Sequence, residues 1–376
     1  MSSATSTAGA HSQRDRHPQD RILSVPTDGS RFMVFRAVLS VVLIADLGHL
    51  YAHLNVFPHL TAWRPILNVA LPIWIAALLC AIVGWHSKVA LLINYTLAAV
   101  IFGLLAPNGG FQQAAGDSVI IGASLLLVVL QATNGAGTRI LAALYLCSIY
   151  IDSGVHKLFS PMWSSGFGIT TPMELPSLVW TNAAWLAWFP HSVLHALGYG
   201  VVAFEVLFPA LYFWQPTRVL AVLAGAALHV GIGVVYPIPV FAGLMVALYT
   251  ALLPDRWYGR LRDAPAPLKL AVKPSAVLCV WILCVTAAYA PEYIRPQSLE
   301  LPLKAIRKAV YMTTGVASHE VFADGMFTAY RYQLRLSDGE EMIPYDRPDG
   351  LFMWSVRDRV WEQWWKRTEA PALRWQ

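Results

Sequence analysis

The segment 218–236, RVLAVLAGAALHVGIGVVY, decides the fold class of this chain. Between Arg218 and Tyr236 it holds a single ionisable side chain, His229, and every other residue there is aliphatic or glycine. A helix needs about 20 such residues to cross the roughly 30 Å hydrocarbon core of a bilayer. The segment therefore predicts a membrane-spanning helix.

The composition of the whole chain agrees with this prediction. Hydrophobic residues make up 56% of its 376 residues and charged residues only 13%, whereas soluble domains carry about 25% charged residues. This composition excludes a disordered chain and argues against a soluble enzyme. The net charge of +5 does not indicate a nucleic-acid partner, because the basic residues follow the ends of apolar segments. The expected partner is the lipid bilayer.

Nine apolar segments predict an all-α polytopic membrane protein with a transmembrane domain at 32–290. Residues 1–31 are polar and predict a disordered cytoplasmic tail. The eighth segment is short and follows the seventh after a turn at Pro237 and Pro239, so eight spans are the alternative count. The nine segments are about 32–54, 66–85, 89–106, 117–133, 139–156, 191–214, 218–236, 238–253 and 272–290.

Lysine and arginine residues predict the orientation of these spans. With a cytoplasmic N-terminus, two basic residues lie in the outer connections, Arg64 and Lys157, against thirteen on the cytoplasmic side. Cytoplasmic connections are enriched in basic residues, so we expect a multi-pass cell-membrane protein whose C-terminus, after nine spans, is extracytoplasmic. The thirteen are Arg14, Arg16, Arg21, Arg31, Arg36, Lys88, Arg139, Arg218, Arg256, Arg260, Arg262, Lys269 and Lys273.

Residues 291–376 predict a small extracytoplasmic α+β domain. Residues 329–336 alternate with a period of two, which is typical of a strand, and the Asp338-Gly339 turn would lead into a returning strand at 341–345. Residues 351–367 have the spacing of an amphipathic helix that is rich in tryptophan.

Ionisable residues inside the predicted spans are the most informative feature, because a charge at the centre of a spanning helix costs roughly 2.5–3.5 kcal/mol on insertion scales. The predicted orientation places all of them in the outer half of the bilayer except Glu205, which lies nearer the middle. One polar cavity that opens outward explains this distribution. The residues are Asp46, His49, His53, Asp117, Asp152, His156, Lys157, Glu205 and His229.

Several of these residues also have a purely structural interpretation. Lys157, at a helix end, could extend its amine to the membrane interface, and His156 could lie at that interface. Asp117 could be an acidic residue favoured by a helix N-terminus. Glu205 could form a buried hydrogen bond to the backbone of a neighbouring helix or to a histidine.

Two further features keep alternatives open. Asp46, His49 and His53 share one helix face. Hydrogen bonding is favoured over metal binding there, because the sequence does not identify a third strong metal ligand. No metal site is therefore predicted. The connection 158–190 is rich in tryptophan and proline and could be an interfacial hairpin or a lid over a site.

The segment 150–166, YIDSGVHKLFSPMWSSG, resembles the core of the vitamin K-dependent gamma-carboxylase family. It is also similar to the wider horizontally transferred transmembrane domain, which includes the bacterial sporulation-delaying protein B group. In the carboxylases a Gly-Val-Lys-Lys-Leu stretch precedes a Trp and a Gly, and the second Lys falls on Lys157, with His156 in place of the first. Gly116-Asp117, Glu205 to Pro209 and Leu228-His229 also resemble family segments, so the resemblance covers about 32–258.

The resemblance implies a general base at Lys157 and a reduced naphthoquinone, such as reduced menaquinone, as the cofactor or substrate. A buried Lys can lose its proton near neutral pH and act as a base. His156 and His229 would then shuttle protons, and Asp152 would orient His156 one helical turn away. The predicted catalytic residues are thus Lys157, His156, His229 and Asp152. The predicted cofactor-binding residues are His49, His53, Asp46, Asp117, Glu205 and Trp163.

Two functions follow from the sequence. The first is a membrane enzyme of the carboxylase-like class that acts on a quinol or a peptide at the outer face. The second is a non-catalytic membrane component of peptide-toxin maturation or export. The sequence holds no phosphate-binding loop and no Gly-x-Ser-x-Gly motif, so a phosphate-driven pump and a serine hydrolase have no support.

Overall fold

A computed structural model describes residues 29–52, 54, 63–105, 115–132, 138–173, 188–236, 238–254, 257, 300–316, 335–337 and 342–344. Within these ranges the chain is mostly helical. The predicted tail 1–31, except for its last three residues, the ninth predicted span at 272–290 and the predicted helix at 351–367 lie outside the described residues.

The helices follow the predicted apolar segments closely. In chain order they are α1 Gly29–Ala52, α2 Arg64–Val83, α3 Ser87–Ala98, α4 Ala115–Ala132, α5 Thr138–Leu158, α6 Pro161–Ser164, α7 Thr170–Met173, α8 His191–Phe213, α9 Arg218–Val235, α10 Pro239–Thr250 and α11 Glu300–Thr314. A π-helical segment, Ala99–Leu105, continues α3. Two short strands, β1 Arg335–Ser337 and β2 Met342–Pro344, pair antiparallel.

Six of these helices have the length and apolar composition that crossing a membrane requires: α1, α2, α3 with its π-helical continuation, α5, α8 and α9. α4 and α10 are shorter apolar helices. The longer helices carry large exposed apolar side chains, such as Val69 and Val83 on α2 and Leu220 on α9. Water-soluble monomers seldom expose apolar area on this scale, and together with the six long apolar helices this indicates a multi-pass membrane protein.

Helices that are consecutive in the chain pack as neighbours, and α10 closes the bundle against α1. Between α2 and α3 the buried Trp74 donates from Nε1 to Asn94 Oδ1 at 2.7 Å. Inside a membrane such polar pairs satisfy groups that have no water to bond. The interior of this first half therefore combines apolar packing with a specific hydrogen bond between α2 and α3.

Two glycines allow tyrosine hydroxyls to lie directly against neighbouring helices. The Tyr145 hydroxyl on α5 contacts Gly122 on α4, and the Tyr249 hydroxyl on α10 contacts Gly225 on α9. A Cβ atom at either glycine would overlap the hydroxyl. Small residues at such contacts are the usual means by which membrane helices approach closely. The second contact positions Tyr249 beside His229.

The C-terminal region contacts the membrane part through α11. Tyr95 on α3 donates to the Thr313 carbonyl at 2.6 Å, and the backbone of Gly315 lies against Ser118 and Gly122 on α4. Gly315 has φ +67°, a conformation that favours glycine. β1 overlaps the end of the first predicted strand and extends one residue beyond it, to Ser337, and β2 lies within the second predicted strand. A complete α+β domain stays a prediction.

Candidate functional site

Lys157 lies in the last turn of α5 and is buried. Its Nζ atom donates to Glu205 Oε1 and Oε2, each at 2.7 Å, and to Ser153 Oγ at 2.6 Å. Lys157 and Glu205 thus form an ion pair between α5 and α8 whose side chains are only 5% and 6% exposed. The ammonium has three N–H bonds, and each has an acceptor here.

The close approach of α5 and α8 depends on Gly154. A Cβ atom at this position would lie 2.9 Å from Val206 Cγ2 and 3.1 Å from the Val206 nitrogen. Both contacts are shorter than side chains normally allow, so the glycine brings the Glu205 backbone near α5. Ser153 and Lys157 are four residues apart and therefore share a helix face, which turns both toward Glu205.

Trp163 covers the ion pair from the connection that follows α5. The Lys157 Nζ atom lies 5.2 Å from the centroid of the Trp163 ring, within the range of a cation–π contact. Ser160 caps the short helix α6 by accepting from the Trp163 backbone N–H at 3.2 Å. The turn at 158–164 thereby places an aromatic ring over a charge.

A second polar cluster, Tyr150, Tyr249 and His229, lies between α5, α10 and α9. The Tyr150 hydroxyl is 2.8 Å from His229 Nε2 and also hydrogen bonds to the Tyr249 hydroxyl. Phe204 and Phe208 on α8 pack against the Tyr150 ring. Three buried polar side chains are thus joined inside an aromatic shell.

One atom of this tyrosine–histidine cluster has no partner among the described residues, His229 Nδ1. His229 is 3% exposed, so water does not reach it freely. A buried polar atom without a hydrogen bond is uncommon and requires an explanation. Phe204, which packs against the Tyr150 ring, precedes Glu205 on α8, so the two clusters are adjacent.

The other predicted catalytic residues lie on α5. His156 Nε2 is 3.3 Å from Asp152 Oδ1, and the two side chains are 29% and 8% exposed. This is the one-turn arrangement that the sequence predicted for them. His156 is therefore more accessible than Lys157 and lies at the edge of the site.

The remaining predicted cofactor-binding residues are on other helices. Asp46 on α1 and Asp117 at the start of α4 are fully buried, and His49 is partly buried. Neither helix carries Lys157, Glu205 or His229. His53 lies outside the described residues. Among the residues that the structure describes, no three His, Cys, Asp or Glu side chains are grouped to hold a metal ion.

Sequence reasoning did not identify Tyr249 or the partnership of Lys157 with Glu205. The sequence placed Glu205 nearer the middle of the membrane than Lys157 and assigned it to cofactor binding. The structure places its carboxylate on the Lys157 amine. The one available signal was that Lys157 and Glu205 are opposite charges in apolar segments, where such residues pair with one another.

The fold and the site define a class, an integral membrane protein with a buried Lys–Glu ion pair beside a tyrosine–histidine cluster. Comparisons of the chain with family models, with curated proteins and with solved structures give no match. The resemblance to the carboxylase family therefore rests on the sequence motif at 150–166 alone, and the function that it implies is a proposal.

Proposed function

We propose that this chain is a membrane enzyme of the carboxylase-like class that uses Lys157 as a general base. Its substrate would be a quinol, such as reduced menaquinone, or a peptide that reaches the site from the outer face. The observation that carries the proposal is the buried ion pair, with Lys157 Nζ at 2.7 Å from both carboxylate oxygens of Glu205. An ionisable residue inside a membrane-spanning segment is by default a candidate for a functional site.

The Glu205 carboxylate gives Lys157 a route to its neutral form. A proton that moves from Nζ to Glu205 leaves a neutral amine and a neutral carboxylic acid, so the pair has zero net charge before and after. Such a transfer separates no charge in a low-dielectric site. The amine can then take a proton from the substrate, and the resulting ammonium stabilises the substrate anion beside an uncharged Glu205.

His229 and Trp163 supply two further functions in this proposal. His229 Nδ1 has no partner among the described residues, so it can donate to or accept from a substrate oxygen, depending on the tautomer. The Trp163 ring presents an apolar face beside the amine and suits a flat aromatic substrate. His156, paired with Asp152 at the accessible edge, would exchange protons with the outside.

A second function is supported by a specific observation. All three N–H bonds of Lys157 already have acceptors, which is also what a purely structural link between α5 and α8 requires. A non-catalytic component of peptide-toxin maturation or export needs such a link and no reactive base. The two functions differ in whether the amine must lose its proton.

Mass spectrometry of quinones and secreted peptides separates these functions. Three strains are compared, which make the wild-type chain, no chain, or the Lys157→Met variant at equal membrane abundance. For the enzyme, we expect a modified quinone or peptide that is lost in both the deletion and the variant. A product that persists with Lys157→Met and disappears only on deletion would contradict catalysis by Lys157 and favour the non-catalytic function.

A further inference from the structure

The hydrogen bonds of the tyrosine–histidine cluster form a short chain across three helices. Tyr249 on α10 bonds to Tyr150 on α5, and the Tyr150 hydroxyl lies 2.8 Å from His229 Nε2 on α9. Tyr249 makes no other hydrogen bond to a described residue, and its hydroxyl lies against Gly225, which has no side-chain acceptor. Tyr249 is therefore one end of the chain and His229 is the other.

The position of Tyr249 at the end of this chain determines the direction of the hydrogen bonds. A tyrosine hydroxyl carries a single proton, and a buried donor without an acceptor is costly. If Tyr150 donated to Tyr249, the Tyr249 proton would have no acceptor among the described residues. Tyr249 therefore donates to Tyr150, and the Tyr150 proton is left for His229 Nε2.

The opposite direction leaves more groups unpaired. If His229 Nε2 donated to Tyr150, the proton of either Tyr150 or Tyr249 would lack an acceptor, and Nδ1 would be an acceptor without a donor. The first direction leaves Nδ1 alone unpaired in this cluster, and Nδ1 is the buried atom without a partner among the described residues. Buried polar groups are nearly always paired, so the direction with fewer unpaired groups is favoured.

This direction fixes the tautomer of His229. A neutral imidazole has one protonated nitrogen and one bare nitrogen. His229 is 3% exposed and its Nε2 partner is a hydroxyl, so a charged imidazolium would be buried here without a carboxylate on that nitrogen, which is costly. Because Nε2 accepts from Tyr150, the proton of neutral His229 lies on Nδ1. Nδ1 is thus a donor that still needs an acceptor.

We propose that Tyr150 is a positioning residue that keeps His229 as an Nδ1–H donor, and that this donor binds an oxygen atom of a quinone. The choice of a quinone rests on the proposed function, whereas the tautomer does not. The carbonyl oxygens of a quinone and the anionic oxygen of a deprotonated quinol are both acceptors, and a fixed N–H donor stabilises negative charge on such an oxygen. His229 then holds this oxygen instead of shuttling protons, the role that the carboxylase resemblance implies.

The surroundings of the cluster suit a flat aromatic ligand. The Phe241 ring meets the His229 ring edge-on, with centroids 5.6 Å apart, and Phe204 and Phe208 pack against Tyr150. Aromatic walls favour a planar ring system. A peptide would bring several N–H donors into this shell, and each of them would need an acceptor. The shell therefore favours a quinone over a peptide.

Nitrogen NMR of His229 tests the tautomer. The full-length protein is labelled with ¹⁵N in its histidine rings and measured in lipid at about pH 8, where ordinary histidines are neutral. The His229→Gln variant identifies the His229 signals. We expect a protonated Nδ1 and a bare Nε2 in the wild type. A protonated Nε2 with a bare Nδ1 would overturn the proposal.

Two tyrosine variants form a matched pair for this measurement. Tyr150→Phe removes the donor to Nε2, so both tautomers of His229 should appear. Tyr249→Phe removes a hydroxyl from the same cluster but leaves Tyr150 donating to Nε2, so the tautomer should not change. A change of tautomer in Tyr249→Phe, with none in Tyr150→Phe, would contradict the direction of the hydrogen bonds.

Binding of menadione, a naphthoquinone that has carbonyl oxygens and no hydroxyl, tests the ligand. The comparison ligand is 2-methylnaphthalene, which has the same rings without the oxygens. We expect menadione to shift the His229 Nδ1 signal. Tyr150→Phe should weaken menadione binding about fivefold, the size of one net hydrogen bond, and should leave binding of 2-methylnaphthalene unchanged.

Two results would overturn the assignment of a quinone oxygen to His229. One is an Nδ1 signal that menadione does not move, and the other is equal weakening of both ligands by Tyr150→Phe, which would reflect altered packing alone. Neither measurement requires proton transfer by Lys157. The role of His229 and the proposed function of Lys157 can therefore fail separately.

Discussion

At the scale of single residues, Lys157 is held by more contacts than its position in the sequence indicates. It ends a membrane helix, where a lysine usually reaches toward the headgroups. Instead it turns inward to Glu205 and Ser153 beneath Trp163. A charge pair in this environment is expensive to break, because the partner that remains is a buried charge without compensation.

A double-mutant cycle measures how strongly Lys157 and Glu205 stabilise each other. Glu205→Gln and Lys157→Met should each destabilise the protein by about 3–5 kcal/mol, because each leaves one unpaired buried ionisable group. The double variant should recover most of the loss. Unfolding in mixed micelles provides the free energies, and additive effects of the two substitutions would show that the pair is not coupled.

Ser153→Ala is the control for this cycle, since it removes one hydrogen bond of Lys157 and leaves the ion pair intact. A net hydrogen bond to a charged group contributes about 1.5–3 kcal/mol. The loss should therefore be smaller than that caused by Glu205→Gln.

At the scale of helices, glycine contacts determine which side chains can meet. Gly225 admits the Tyr249 hydroxyl between α9 and α10, and Tyr249 then reaches Tyr150, which bonds His229. Gly154 allows α5 and α8 to approach closely, which brings Glu205 to Lys157. Both polar clusters of the site therefore depend on a glycine on an adjoining helix.

Gly225→Ala should destabilise the protein by about 1–3 kcal/mol, because the new methyl group would overlap the Tyr249 hydroxyl. Adding Tyr249→Phe should recover part of the loss, since it removes the oxygen. Gly231→Ala on the same helix is the control, because a Cβ atom there has no neighbour within 4 Å. Thermal unfolding checks these variants, and equal losses for Gly225→Ala and Gly231→Ala would count against the packing described.

Helix positions were predictable from the sequence, and the pairing of side chains was not. The bounds of α5 and α9 lie within about two residues of the predicted spans, because apolar run length determines them. The π-helical segment Ala99–Leu105 could not be predicted, because an apolar run has the same hydropathy whether it forms an α-helix or a π-helix. The contact of Tyr150 with Tyr249 depends on helix rotation and on Gly225, and neither can be read from one segment alone.

At the scale of the whole molecule, charge is divided between the two ends of the bundle. Arg31, Arg139 and Arg218 lie in the first turns of α1, α5 and α9, whereas His156 and Lys157 lie in the last turn of α5. Since basic residues favour the cytoplasmic side, we predict that the first turns of α1, α5 and α9 face the cytoplasm and that Lys157 lies in the outer half.

Cysteine labelling tests this orientation. In a cysteine-free background, a cysteine at Ser3 should react with a membrane-impermeant reagent only after the cytoplasmic side is exposed. A cysteine at Ser337 should react from outside, provided that the ninth predicted span crosses. Labelling of the Ser337 position only from the cytoplasm would contradict the nine-span orientation.

The central claim is that Lys157 must lose its proton for the protein to work. The most direct measurement compares Lys157→Arg with the wild type for complementation of the deletion phenotype, at equal membrane abundance. Arg keeps a cation that can still pair with Glu205 but does not deprotonate near neutral pH. We expect Lys157→Arg to fold, to insert and to fail in complementation. Full complementation by Lys157→Arg would contradict the claim and leave the ion pair a structural link between α5 and α8.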